Sequence, residues 1–250
     1  MRTTSFLAVT LFSGVVAGVI LGLINQIMVE PFIDMAIGIE TQRDLAKGEV
    51  INSTQQEQYR IWQKAGEVVA AGLYGIAVSA LFGIVFAYTR NVLPGSRSKN
   101  KALFLAAVMF FVLFLVPALK YPANPPAVGD PNTIYYRDIL FIGFIAISGL
   151  STLILALVYN RVKIFASNAS NPPKKKLVVS LIYTAIMTGA YLVFPPNPDN
   201  ITIPIDLIVN FRVVSALSVG IFWGLLGAIL GILWDKIKPH ETSRIASSSV

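Results

Sequence analysis

The sequence predicts an all-α, polytopic helical membrane protein with about six transmembrane helices and both termini cytoplasmic. Three observations carry this. Six apolar runs punctuate the chain, each close to the ~20 residues that a helix needs to cross a hydrocarbon core. Only 13% of the 250 residues are charged and 55% are hydrophobic, too apolar a balance to keep a soluble domain of this size solvated. The segments between the runs alternate in the sign of their charge, which is the pattern of membrane topology.

The first run, Phe6–Val29, follows Arg2. It is longer than the apolar centre of a signal peptide, and no small-x-small cleavage site follows it, so it reads as an anchor of the mature protein. The remaining runs are Glu67–Thr89, Ala102–Leu119, Asp138–Asn160, Leu177–Phe194 and Ile208–Trp234, followed by a polar cytoplasmic tail over 235–250. The whole of 1–250 reads as a single transmembrane domain.

Orientation follows from Lys and Arg. One set of segments holds 13 basic residues, among them Arg90, Arg97, Lys99, Lys101, Arg161, Lys163, Lys174, Lys236 and Lys238, against only Asp235 and Glu241. The other set holds seven basic residues against 11 acids. The basic set belongs in the cytoplasm. Sequons at Asn52 and Asn200 then fall outside, and a third at Asn168 falls inside. The net charge of +7 is thus a topology signal rather than a nucleic-acid footprint, because the basic residues sit in short loops beside apolar spans.

The segment 30–66 is too patterned to be a plain loop and is read as an outer amphipathic helical segment. Pro31 allows a bend after the first span. Phe32–Ala46 sets Phe32, Ile33, Ala36, Ile37 and Ile39 against Asp34, Glu40 and Asp44, as in a short helix lying on a membrane or over a bundle. Thr54-Gln-Gln-Glu57 has the form of a capping box, and no breaker follows before Pro94. The second helix is therefore expected to run about 35 residues, about 52 Å at 1.5 Å per residue.

Two features concern helix packing. The second and third spans leave through "FLVPALKYPANPP" and the fourth and fifth through "YLVFPPNPDN", as a duplicated helical hairpin would. Small residues recur every three or four positions: Gly14, Gly18 and Gly22; Gly75, Ser79 and Gly83; and Gly220, Gly224, Gly227 and Gly231. Such stripes let backbones approach closely, either within the bundle or against another subunit.

Enzyme motifs are missing: there is no P-loop, no H-E-x-x-H, no G-x-S-x-G and no dinucleotide fingerprint. There is no cysteine and only one histidine, His240 in the tail, so thiolate chemistry and an imidazole-rich metal or haem centre cannot be built from this chain alone. No Asp, Glu, Lys or Arg lies deep within a span, whereas a proton-driven carrier needs such a group. The chain therefore reads as a non-catalytic subunit of something larger, with no cofactor implied.

What remains is a polar collar near the outer helix ends. Asn25 and Gln26 close the first span, followed by Glu30 and Asp34. Glu67 opens the second span, Tyr135, Tyr136, Arg137 and Asp138 the fourth, and Asp206, Asn210 and Arg212 the sixth. Glu30 and Asp34, like Asp206 and Asn210, are four apart and share a helix face. Such groups either complement helix dipoles and pair with neighbours, or form an acidic vestibule that concentrates a cation. Carboxylate and amide oxygens suit hard or borderline divalent ions.

The Gly-rich first helix running into "NQIMVEPFIDMAIGIE", the stretch "FLVPALKYPANPPAVGDPNTIYYRD" and the last helix ending in "GAILGILWDKI" together resemble the CbtA family of cobalt-transporter membrane subunits. The resemblance covers nearly the whole length, and its second stretch is the most distinctive. It implies divalent-cation uptake, with Co²⁺ as substrate, beside a very small histidine-containing membrane subunit. By position it adds Glu40, Pro117, Lys120, Pro122, Pro125, Pro126 and Asp130 to Glu30, Pro31 and Arg137 as candidate residues. The expected cation-attracting set is then Glu30, Asp34, Glu40, Asp130 and Asp206, supported by Lys120, Arg137, Asn25 and Asn210. The competing expectation is a structural or accessory subunit of a larger membrane complex.

Overall fold

The computed structural model describes residues 2–159, 172–198 and 201–239. Arg161, Lys163, the Asn168 and Asn200 sequons, Asp199, His240 and most of the polar tail lie outside them. The described residues are helical almost throughout, and six helices are long and apolar enough to cross a membrane: Thr3–Met28, Ser53–Thr89, Ser98–Lys120, Pro131–Val158, Lys175–Val193 and Ile205–Ile237. The all-α, six-span expectation holds. The helices form two compact units.

The first unit contains α1 (Thr3–Met28), α2 (Glu30–Ala46), α3 (Ser53–Thr89) and α4 (Ser98–Phe110) together with α8 (Ile205–Ile237). Helix α1 lies against both α3 and α8, and α4 lies against α8. Glycine makes these contacts possible. A Cβ on Gly75 would stand 2.9 Å from the Gly18 Cα, and one on Gly18 would stand 3.1 Å from the Gly72 Cα. At the α4–α8 contact, a Cβ on Gly227 would meet the Ala106 Cβ at 2.8 Å, and one on Gly231 the Lys99 amide nitrogen at 2.9 Å. Backbone touches backbone at both crossings, so the stripes are used within the chain. Gly224, by contrast, faces open space.

Within the first unit, Gly75 draws α3 to α1, and Gly227 and Gly231 draw α4 to α8. The short proline matches mark helix ends, where proline is common anyway.

One end of this unit is closed by aromatic packing. Trp234 is fully buried and meets Phe86 edge-on at 5.0 Å and Phe6 at 6.0 Å. Beside it, Asp235 accepts hydrogen bonds from the Ser98 and Lys99 amides at 3.0 and 3.3 Å, satisfying two of the orphan donors of the first turn of α4. The Arg2 guanidinium donates to the Ile237 carbonyl at 3.0 Å and its amide to Pro239 at 2.8 Å. The start of α1 and the end of α8 therefore share one end, as an even number of crossings requires.

At the other end α1 gives way to α2 after a single residue, Val29. Pro31 occupies the first turn of α2, where its missing N–H removes no helical bond. Gly48, with φ +87°, ends α2 in the left-handed conformation that glycine adopts without strain. Helix α3 then runs 37 residues, about 55 Å, as its unbroken sequence predicts. Its cap is not Thr54. The Asn52 side chain accepts the Gln55 amide at 3.2 Å, in keeping with the stronger capping preference of Asn over Thr. The Gln56 amide reaches Thr41 at 3.0 Å and ties α3 to α2.

The second unit begins inside the third span. A π turn over Phe111–Leu115 precedes α5 (Val116–Lys120), and α6 (Ile134–Val158) and α7 (Pro172–Val193) complete it. Pro117 cannot donate to Leu113, and the wider turn accommodates that break. Ser148 donates to the Val112 carbonyl at 2.5 Å and lies 2.8 Å from the Tyr183 hydroxyl. With the serine proton committed to Val112, Tyr183 is the donor in the second bond. Val116, Phe144 and Met187 form the apolar centre, with Phe194 edge-on to Phe144 at 5.4 Å.

Candidate functional site

Two i, i+4 pairs face each other where α2 runs beside the first third of α3. Glu30 and Asp34 come from α2, Arg60 and Lys64 from α3. Arg60 donates to Glu30 and, at 2.9 Å, to Asp34. Lys64 donates to the other Asp34 oxygen at 2.7 Å and lies 3.7 Å from Glu30. A second arginine nitrogen is held by Gln63 at 2.8 Å. The Glu30 side chain is buried, only 8% exposed, while Asp34 is half exposed.

Partial burial would raise the Asp34 carboxyl, but hydrogen bonds and charge from Lys64 and Arg60 outweigh it and hold it below the ordinary aspartate value. One turn from this group, Gln26 donates to Glu67 at 2.5 Å and to the Lys64 carbonyl at 2.9 Å, and Asn25 also bonds Glu67. Glu30 and Asp34 with Arg60 and Lys64 thus form one cluster at the α1–α2 bend, and Glu67 with Asn25 and Gln26 a second one beside it, without the three carboxylates converging on one point. The expected acid-rich collar is charge-compensated here. Its carboxylates are preorganised by two cations, and a stronger cation could displace these from the oxygens.

The other candidates lie elsewhere. Glu40 is exposed on α2, and Asp206 and Asn210 are exposed in the first two turns of α8, where Asp206 complements the helix dipole. Asp130 belongs to the second unit. Its carboxylate accepts the Asn132 amide at 2.8 Å and the Asn132 side chain at 2.9 Å, which starts the short 3₁₀ turn Pro131–Thr133. Arg137 reaches the Asp130 carbonyl at 3.4 Å. Among the described residues, no three His, Cys, Asp or Glu converge as a metal site would require.

Lys120 and Tyr121, which lead into the proline-rich stretch, are fastened within the second unit. Lys120 donates to the Tyr191 carbonyl at 2.9 Å and sits 4.5 Å above the Tyr191 ring, a hydrogen bond reinforced by cation–π attraction. Tyr121 donates to the Pro195 carbonyl at 2.6 Å, and burial pushes its hydroxyl pKa up. These anchors frame a cavity of about 280 Å³ whose polar lining comes from Tyr121, Asn124, Arg137, Asp138 and Asn197.

Sequence reasoning found Glu30, Asp34, Gln26 and Glu67 but passed over Arg60 and Lys64. Their signal was present. They repeat the four-residue spacing of the two acids, on a helix already expected to extend beyond the membrane.

Six helices long and apolar enough to cross a membrane make this a multi-pass membrane protein. The chain belongs to the CbtA family, described as a probable cobalt transporter subunit, whose model matches residues 3–235. Comparison with curated proteins and with solved structures gave no match.

Proposed function

We propose that the chain is the membrane-embedded subunit for uptake of a divalent metal ion, cobalt, across the cytoplasmic membrane, acting with a small histidine-bearing membrane subunit. The family match over nearly the whole chain carries this reading. In it the α1–α2 bend faces outward and the Lys- and Arg-rich end faces the cytoplasm, as the charge asymmetry of the loops favours. Glu30 and Asp34 receive the ion by exchanging Arg60 and Lys64 for the metal, with Glu67 behind them. Co²⁺ prefers imidazole where it is available, so histidine from the partner completes the coordination. Glu40, Asp130 and Asp206 contribute a general negative field rather than ligands. The chain itself performs no catalysis.

The test is cobalt accumulation in cells expressing Glu30→Gln with Asp34→Asn. Uptake is expected to fall about tenfold or more, since both negative charges of the first contact are lost, while the protein remains inserted at the wild-type level. Unchanged accumulation would remove this cluster from the transport route.

A second reading, an accessory subunit of a larger membrane assembly, draws on one observation: the fourth and fifth spans leave most of their surface uncovered. It predicts copurification with a large complex and no change in cellular cobalt.

A further inference from the structure

The end of the first unit remote from Glu30 carries a cavity of about 250 Å³, lined by Arg90, Ser96, Ser98, Lys101, Asp235 and Lys238. Three helices of that unit build it. Arg90 caps the C-terminal end of α3, Ser98 and Lys101 open α4, and Lys238 caps α8. The lining holds three cations and one carboxylate. That carboxylate is already engaged, because both Asp235 oxygens accept amide hydrogens at the start of α4. Lys101 gives one ammonium hydrogen to the Arg90 carbonyl at 2.8 Å, which fixes its position and leaves two hydrogens for another acceptor. Lys238 is set by its left-handed backbone, φ 47°, and by the hydrogen bond that its backbone N–H donates to the Trp234 carbonyl at 3.0 Å.

We propose that this cavity binds the phosphate of an anionic phospholipid headgroup. A guanidinium, two ammonium groups and the Ser96 hydroxyl around one space supply the charged and neutral donors that phosphate oxygens take. The location favours lipid as the source. The cavity sits at the ends of membrane-spanning helices, at headgroup level. Tyr88 and Val92, either side of Arg90 in the chain, are 86% and 80% exposed, and Ile237 beside Lys238 is also exposed. Apolar side chains flanking a basic cavity offer a surface for acyl chains next to the phosphate site. The inference is independent of which ion the protein carries.

Native mass spectrometry of the full chain in detergent tests it, with titration by dioleoylphosphatidylglycerol, dioleoylphosphatidylcholine and, separately, inorganic phosphate. Phosphatidylglycerol is expected to be retained in preference to phosphatidylcholine. Retention should weaken about fivefold for each charge removed in Arg90→Gln, Lys101→Gln and Lys238→Gln. If the triple variant does not elute as a folded species, Arg90→Gln alone carries the test, since it leaves the backbone carbonyl that holds Lys101. Inorganic phosphate that binds wild type but not the variant, and displaces the lipid, would keep the phosphate site and assign it a soluble ligand. Equal retention by wild type and variants, or equal retention of the two lipids, would overturn the proposal.

Discussion

Gly18→Leu is expected to disrupt the first unit outright. The new side chain would have to occupy space held by the Ala71 carbonyl and the Gly72 backbone. Neither belongs to a flexible side chain that can swing aside. Overpacking of a core against side chains costs about 1–3 kcal/mol. Here the obstacle is the main chain of α3, so the effect should reach or exceed the upper end. Gly75→Leu should behave alike, because its Cβ would strike the Gly14 carbonyl and approach the Gly18 Cα. Gly38→Ala and Gly189→Ala are the controls. A Cβ at either meets nothing within 4 Å, and alanine in a helix is favoured over glycine by about 1 kcal/mol. Thermal unfolding in detergent should therefore show a large fall in Tm for the first pair and no loss for the second. A Tm for Gly18→Leu equal to wild type would mean that α1 and α3 do not touch through their backbones.

Arg60→Gln is expected to be the most damaging change at the candidate site. It strips Glu30, a carboxylate only 8% exposed, of its closest cation and leaves Lys64 at 3.7 Å as the remaining one. Removing one member of a buried ion pair costs about 3–5 kcal/mol, and the surviving lysine should keep the loss near the lower figure. Combining Arg60→Gln with Glu30→Gln should recover part of that loss, since no buried charge is then stranded. Additive effects in this cycle would show that the two side chains do not interact. Asp34 adds a pH signature. Its folded pKa is depressed, so its stabilisation is fully present above the ordinary value of 3.8 and is lost as pH falls below that through the lowered folded value. Melting from pH 7 down to pH 3 should therefore show an acid-induced fall in Tm that Asp34→Asn reduces. An unaltered acid limb in that variant would contradict the ion-pair assignment.

The spans were legible because lipid imposes a demand that each segment meets alone. About 20 apolar residues are needed for every crossing, and no knowledge of neighbours is required to count them. Helix α2 was legible for a related reason, since Pro31 and the pattern of Phe32–Ala46 are local. Pairing between helices was not. Gly14, Gly18 and Gly22 announce a close approach without naming what approaches. Matching prolines describe helix ends, while Gly75, Gly227 and Gly231 determine which faces meet. The candidate site divides in the same way. The spacing of Glu30 and Asp34 placed them on one face, yet their compensation by Arg60 and Lys64 depends on α2 folding back along α3. The π turn was hidden too. Pro117 shows where a hydrogen bond is lost, but the Ser148–Tyr183 arrangement that serves Val112 comes from two other helices.

Import through the α1–α2 bend requires that this end of the protein face the outside of the cell. The chain contains no cysteine, so single cysteines report its sidedness without background. Val50, fully exposed between α2 and α3, and Arg97, exposed between α3 and α4, mark the two ends. With a membrane-impermeant maleimide on intact cells, Val50→Cys should label fully and Arg97→Cys only after permeabilisation. Labelling of Arg97→Cys on intact cells, with Val50→Cys protected, would place the carboxylate cluster in the cytoplasm and contradict uptake by this route.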